Sequence, residues 1–366
     1  MKKVMVVFGT RPEAIKVAPV IKELNERKEI KPIVCVTAQH RQMLDQVLDT
    51  FNIKPDFDLD IMKQGQTLAE ITTKVLKGID NILKKEKPDM ILVHGDTTTT
   101  FAAALAAFYN QIPIGHIEAG LRTYQKYSPY PEEMNRQMVS NLADLNFAPT
   151  EVAKQNLIKE NKNENTIVVT GNTVIDALQT TVTKEYKNEI LNSIGKEKRI
   201  ILLTTHRREN LGKPMENIFD AISKIAEDYQ DVCIIYPMHK NPLIRELAIK
   251  KLGDKENIKL IEPLDVLDFH NFMNASYLIL TDSGGIQEEA PSMGKPVLVL
   301  RNTTERPEGI KAGTLKLVGT DEKEIYKQTK ILLDDKEEYK KMSMASNPYG
   351  DGKASKRIVD EIEKYL

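Results

Sequence analysis

Six short polar clusters in this chain each close a run of apolar, largely β-branched residues, and this recurrence limits the fold more than any other feature. The clusters are Gly9-Thr10-Arg11, His94-Gly95-Asp96, His116-Ile117-Glu118, Thr205-His206-Arg207-Arg208, Met238-His239 and Asp282-Ser283-Gly284-Gly285. An open α/β sheet binds ligands outside the carboxyl ends of its strands, so polar residues that repeatedly end a strand are how such a sheet assembles a site. The clusters divide evenly between the two halves of the chain, which predicts two sheets facing one cleft. Strand-like and helix-like patterns alternate throughout, as expected for parallel strands joined by crossover helices.

Strands are predicted at 2–8, 31–37, 89–94, 112–117 and 144–148, then at 199–204, 231–236, 257–261, 277–281, 296–300 and 314–318. The first helix is the clearest: Ala14, Val17, Ala18, Ile21 and Leu24 follow helical spacing, and Pro12 suits its first turn. The polar segment 161–173 reads as the crossing between halves. A second polar stretch, 346–352, precedes a last helix at 353–365. At 366 residues and about 150 residues per domain, two domains are expected.

Composition narrows the class. A formal net charge of −1 supplies no clustered positive field, so no nucleic-acid partner is expected. Cys35 and Cys233 lie inside apolar runs and read as buried thiols in a reducing compartment. Residues 1–8 mimic a signal peptide, but Arg11 and Glu13 end the run early. No stretch approaches the roughly 20 apolar residues of a membrane span, so a cytoplasmic protein without a membrane partner is expected. No glycine fingerprint for a dinucleotide, no Walker loop, no zinc-type His or Cys spacing and no other metal-ligand pattern appears.

What is left suits an anionic ligand served by carboxylates. Ser283-Gly284-Gly285 lies between a buried strand and a helix starting near Ile286, where free N–H groups favour an anion; a tight turn is the plain alternative. Arg11 is a second cation or a solvated side chain. Glu289 is placed to accept the hydroxyls of a ribose, or to make a favourable contact with the helix dipole. Asp96 reads equally as an N-cap, Glu132 as an i,i+4 partner of Arg136, and Lys16 as a lysine facing solvent. Glu118, beside a buried strand end, has no obvious structural task.

Longer segments carry a resemblance. Phe8-Gly9-Thr10-Arg11-Pro12-Glu13-Ala14-Ile15-Lys16, His94-Gly95-Asp96-Thr97 and Ile117-Glu118-Ala119-Gly120-Leu121-Arg122-Thr123 resemble the non-hydrolysing UDP-N-acetylglucosamine 2-epimerase family. So do Pro129-Tyr130-Pro131-Glu132-Glu133-Met134-Asn135-Arg136, Thr205-His206-Arg207-Arg208-Glu209-Asn210, Asp282 to Glu289 and Thr304-Glu305-Arg306-Pro307-Glu308. The resemblance implies a GT-B-like α/β fold of two Rossmann-like, doubly wound parallel-sheet domains around a central cleft. Residues 1–168 with 353–366 would form the sugar and catalytic domain, and 169–352 the UDP domain.

It also implies the reaction: reversible conversion of UDP-GlcNAc to UDP-ManNAc by elimination of UDP to 2-acetamidoglucal and re-addition, with no cofactor. Asp96, Glu118 and Glu132 would share proton transfer and intermediate stabilisation, because the two epimers carry hydrogen on opposite faces of the ring. Lys16 and His206 would join the catalytic set. Arg11, Lys16, His206, Ser283, Gly284 and Gly285 would hold the diphosphate and the departing UDP, and Glu289 the ribose. His239 and Arg301 match less distinctively and are possible cleft lining. A homodimer and a role in surface polysaccharide or glycan synthesis are the family expectation. Gln39, His40 and Gln42 resemble part of a regulatory UDP-GlcNAc contact, although Gly65 stands where some bacterial members have arginine. A UDP-sugar-dependent GT-B glycosyltransferase, a hydrolysing 2-epimerase and a non-catalytic nucleotide-sugar sensor are the alternatives; three extra carboxylates argue against the last.

Overall fold

A computed structural model describes residues 1–38, 41–61, 63, 65–304 and 306–366. These form two compact units, Met1–Thr180 with Tyr349–Leu366, and Thr181–Pro348. In the first unit, β1 (Lys2–Phe8), β2 (Ile30–Val36), β3 (Phe57–Asp58), β4 (Met90–His94), β5 (Ile114–Ile117), β6 (Leu145–Ala148) and β7 (Ile167–Val169) make one sheet. Its order is β3-β2-β1-β4-β5-β6-β7, and every pairing is parallel. In the second, β8 (Arg199–Thr204), β9 (Val232–Pro237), β10 (Ile258–Ile261), β11 (Leu278–Thr281), β12 (Val297–Val299) and β13 (Leu315–Leu317) run in the order β10-β9-β8-β11-β12-β13. They too are all parallel.

Both sheets are doubly wound, and the direction of winding reverses between β1 and β4 and again between β8 and β11. Such switch points are where an open sheet leaves a crevice for a ligand. Gly9-Thr10-Arg11 and His94-Gly95-Asp96 end the two strands at the first switch; Thr205-His206 and Asp282-Ser283 end the two at the second. The spacing of polar clusters in the sequence is thus the winding pattern of two sheets.

Strands of a parallel sheet are covered on both faces, which explains their nearly continuous apolar runs. In the second unit Ile201, Leu203 and Ile234 pack with Phe219, Ile222 and Ile225 on one face. Leu202, Ile235 and Ile279 pack with Phe272 and Met273 on the other. In the first unit Met5, Val7, Ile91 and Val93 meet Val75, Ile79, Ala103 and Ala107.

Two elements differ from the sequence reading. The segment 161–173 is no mere crossing: Ile167, Val168 and Val169 pair with Asn146, Phe147 and Ala148 as the edge strand β7, too short to show a period. The two-residue β3 escapes detection for the same reason. The sequence reading put the boundaries at 168/169 and 352/353, whereas the compact units divide at 180/181 and 348/349. Helix Thr173–Thr181 stays with the first unit because Asp176 accepts hydrogen bonds from Ala354 N (3.2 Å) and Ser355 N (2.7 Å), capping the C-terminal helix Ala354–Tyr365.

Gly120 shows how tightly the end of β5 is packed. Its φ is +87°, and a Cβ there would stand 2.3 Å from the Ala153 carbonyl oxygen. Gly65 has φ +75° but open space around it. Gly120→Ala is expected to cost about 2–3 kcal/mol, combining left-handed strain with a backbone clash, and Gly65→Ala only about 1 kcal/mol. Urea unfolding midpoints of the two variants check the ordering.

Candidate active site

Glu13 builds the first loop. Fully enclosed, its carboxylate accepts from Gly9 N (3.1 Å), Thr10 N (2.8 Å), Thr97 Oγ1 (2.8 Å) and Thr100 Oγ1 (3.1 Å). It therefore completes the capping box of helix Arg11–Glu26 and binds the end of β1 to the loop after β4. Burial pushes its carboxyl up, and those donors oppose the shift. Arg11 opens this helix half-exposed and forms no hydrogen bond or ion pair among the described residues.

Lys16 does not face solvent. Its Nζ forms an ion pair with Glu118 Oε2, with the lysine side chain only 18% exposed. Glu118 also accepts from Asn172 Nδ2 (3.1 Å) and Arg136 Nη2 (3.4 Å), and its own carbonyl accepts from Arg136 Nη1. The residue holds φ +61°, a left-handed backbone that is uncommon for a residue with a side chain and costs of order 1–3 kcal/mol. The left-handed backbone at the strand end turns the side chain into a cluster of cations.

Burial raises the Glu118 carboxyl, but the Lys16 ammonium and the Arg136 guanidinium outweigh it and hold the group well below the usual carboxylate range. His94, with Nε2 3.8 Å from the same oxygen, is driven by burial down to about 3 against the pull of Glu118. It faces the cluster as a neutral ring. His116 is likewise pushed to about 3 by burial; its Nε2 lies 2.8 Å from Gly95 O and fixes the loop after β4.

Asp96 is not the N-cap of the following helix. Thr97 takes that position, accepting from Thr100 N at 3.1 Å, which releases the Asp96 side chain to pair with Arg136 Nη2. Glu132 does not pair with Arg136, because Arg136 is taken by Asp96 and Glu118. The neighbouring Glu133 is structural, accepting from Thr123 N (2.9 Å) and Tyr124 N (3.0 Å). Glu132 itself begins helix Glu132–Leu142, half-buried and without a hydrogen bond or ion pair among the described residues. Three carboxylates thus occupy three states: Glu118 locked, Asp96 singly paired and Glu132 unengaged.

In the second unit Asp282 is the organiser. Wholly buried, it accepts from His206 N (3.0 Å), Arg207 N (3.0 Å) and Asn210 Nδ2 (3.0 Å), and its Oδ1 lies 3.0 Å from His206 Nδ1. Burial raises its carboxyl, yet the His206 ring together with the His206 and Arg207 backbone N–H groups outweighs this and keeps it ionised. The pairing fixes Nδ1 of His206 as the buried nitrogen and leaves Nε2 for a ligand. His239 stacks beside it, ring centres 6.4 Å apart, and Arg301 bonds Glu209 at 2.8 Å.

Ser283 caps helix Gly284–Glu289 without a side-chain cap bond. A Cβ on Gly284 would stand 3.7 Å from Arg207 Nη2 and 3.8 Å from Arg306 Nη2, so two guanidinium groups flank the turn and an anion there meets cations as well as amides. Arg306 is aimed by Glu288. Glu289 ends this short helix, and its Oε2 lies 3.4 Å from His270 Nε2. Gln39 and His40 lie outside the described residues, and Gln42 is described only as a position in helix Arg41–Thr50.

The family model described as UDP-N-acetylglucosamine 2-epimerase matches residues 22–363. The chain belongs to this family. The UDP-N-acetylglucosamine 2-epimerase of Bacillus subtilis strain 168 is 65% identical over 98% of this chain and 94% of its own length. That of Escherichia coli K12 is 53% identical over 99% and 98%. The solved structure of the Neisseria meningitidis UDP-GlcNAc 2-epimerase bound to UDP-GlcNAc superposes with a TM-score of 0.89 at 52% identity, covering 99% of this chain and 100% of that one. The Methanocaldococcus jannaschii enzyme in complex with UDP-GlcNAc and UDP gives 0.79 at 37% identity, with full coverage of both. The two parallel-sheet α/β units are thus the GT-B-like fold of this epimerase family.

Among the described residues no group of three or more His, Cys, Asp or Glu is placed to hold a metal ion, and no helix is long and apolar enough to cross a membrane. Arg136, Asn172, Asp282 and Arg306 were not assigned from the sequence. Their signal was position: Asp282 closes a strand, and Arg136 lies one helical turn after Glu132.

Lys16→Met is expected to destabilise the epimerase by about 1–3 kcal/mol at neutral pH, since it leaves a buried carboxylate short of one hydrogen-bond donor. Glu118 in the folded chain titrates below its ordinary value of 4.5. The Lys16 contribution is therefore full above about pH 4.5 and is lost as pH falls through the folded-state value. Urea midpoints of variant and wild type, well separated at pH 7, should converge in acid.

Proposed function

We propose that this epimerase interconverts UDP-GlcNAc and UDP-ManNAc without net hydrolysis. A base takes the proton from sugar carbon 2, the bond from carbon 1 to the UDP oxygen breaks, and UDP departs with the bonding pair, leaving 2-acetamidoglucal. UDP then adds back to carbon 1 while a proton reaches the opposite face of carbon 2. Atoms and charge balance without a redox partner.

The observation that carries this reading is the division of labour among the carboxylates. Glu118, held ionised, is a poor proton carrier and a good counter-charge for positive character developing on the ring. Asp96 and Glu132, less constrained, take the two proton transfers, one for each face. Lys16 sets Glu118 and adds a cation. In the second unit the His206–Asp282 pair steadies the departing UDP oxygen, a ring N–H held in place by a buried carboxylate being a good electrostatic stabiliser. Arg11 and the Ser283-Gly284-Gly285 turn, with Arg207 and Arg306, take the diphosphate, and Glu289 takes the ribose. In this reading the first unit supplies acid–base groups and the second the nucleotide grip. The same reading extends to a cytoplasmic homodimer supplying ManNAc units for surface glycans, with Gln39, His40 and Gln42 in a regulatory contact.

Incubation with UDP-GlcNAc in heavy water is the test. Deuterium should enter carbon 2 without added NAD and without accumulation of UDP. Stoichiometric free sugar would assign a hydrolysing epimerase, and exchange that waits for an acceptor would assign a transferase. Asp96→Asn and Glu132→Gln should each lower kcat by roughly 10²–10⁴-fold while calorimetry finds UDP binding intact; loss of UDP binding in both would make these residues structural.

A further inference from the structure

The buried His270 has no part in the chemistry above, yet it touches the residue assigned to the ribose. It lies in helix Val266–Ala275 and is 3% exposed. Its Nδ1 is 2.7 Å from Thr181 Oγ1 and its Nε2 is 3.4 Å from Glu289 Oε2. We propose that His270 is a positioning residue that orients the Glu289 carboxylate toward the two hydroxyls of a ribose. The proposal rests on the reading of Glu289 given above.

A carboxylate facing one ring nitrogen selects the form with a proton on that nitrogen. In a neutral ring Nδ1 then accepts from the Thr181 hydroxyl; in a charged ring it donates to it. Both forms aim an N–H at Glu289. The base of this relay is itself fixed, because the next residue of the same helix, Asn271, donates to Thr181 O (2.7 Å) and accepts from Thr183 N (3.0 Å). At the other end, Glu289 Oε1 stands 3.2 Å from where a Cβ on Gly285 would be. One oxygen of Glu289 thus faces His270 and the other borders the Ser-Gly-Gly turn. A carboxylate has about four lone-pair sites, so the 3.4 Å contact with His270 engages one oxygen and leaves capacity for two hydroxyls. A ligand-binding side chain whose rotamer is locked in advance by a supporting hydrogen bond loses less on binding.

A histidine serving only as packing would need no proton on Nε2, and that difference is measurable. The variants are His270→Phe, His270→Gln, Thr181→Val and Glu289→Gln; the probes are UDP and 2′-deoxy-UDP by calorimetry, with KM and kcat for UDP-GlcNAc. Wild type should prefer UDP by about ten- to a hundredfold, the range for a hydrogen bond to a charged group. His270→Phe should lose most of that preference and raise KM with kcat within roughly twofold, while His270→Gln, which restores an N–H donor, should recover most of it. If Glu289→Gln loses the preference and His270→Phe keeps it, the ribose reading stands and the role of His270 is overturned. If Glu289→Gln keeps it, the ribose reading fails and the proposal with it. Should His270→Phe not fold, Thr181→Val carries the test: a reduced preference supports the relay and an unchanged one overturns it.

Discussion

The ion pair between Lys16 and Glu118 is the contact on which the first unit's candidate site depends. It joins the helix after β1 to the end of β5 across the sheet, and Arg136 extends it to Asp96 at the end of β4. Buried charges are tolerated only when paired and hydrogen-bonded, and here the pairing is nearly complete. The strained backbone of Glu118 is retained because the surroundings over-determine it: Arg136 grips its carbonyl, and Asn172 and Lys16 grip its carboxylate. Removing any one member would leave another buried charge exposed to its desolvation cost. The result is a carboxylate that stays negative beside one that is partly engaged.

The second unit solves a different problem by a similar device. Asp282, buried at the end of β11, gathers the backbone of His206 and Arg207 and the side chain of Asn210 into one fixed loop after β8. A single carboxylate thereby shapes the crevice at the switch point and orients a histidine at its rim. Arg207 and Arg306 converge on Gly284, where a Cβ would stand 3.7 and 3.8 Å from their Nη2 atoms, in ordinary van der Waals contact. In the proposed reading the first unit manages protons and the second manages phosphate charge.

Much of the fold was legible because parallel strands announce themselves as short apolar runs closed by polar residues, and the first helix because Ala14, Val17, Ala18, Ile21 and Leu24 keep one apolar stripe. The short strands β3 and β7 were not, since two or three residues carry no period and pair only because a neighbour is waiting. Among site residues, Glu118 stood out for lacking a structural task. Lys16 did not, because a helical wheel records which side of a helix is apolar and cannot record that Glu118, 102 residues later, arrives over its polar side. The same limit applies to Arg136: local i,i+4 spacing offers Glu132, while the fold supplies Asp96 and Glu118 from two other strand ends. Asp282 was visible as a strand-closing residue, but its partners come from a loop more than seventy positions earlier.

Whether Glu118 is held ionised is open to observation by isotope-edited infrared spectroscopy of ¹³C-glutamate-labelled protein, with Glu118→Gln subtracted to isolate the one carboxyl. Its antisymmetric carboxylate band should persist unchanged from about pH 8 to about pH 4.5 and give way only in stronger acid, as the lowered titration requires. A protonated carbonyl band growing in between about pH 5 and 7 would contradict the lock and return Glu118 to the pool of proton carriers.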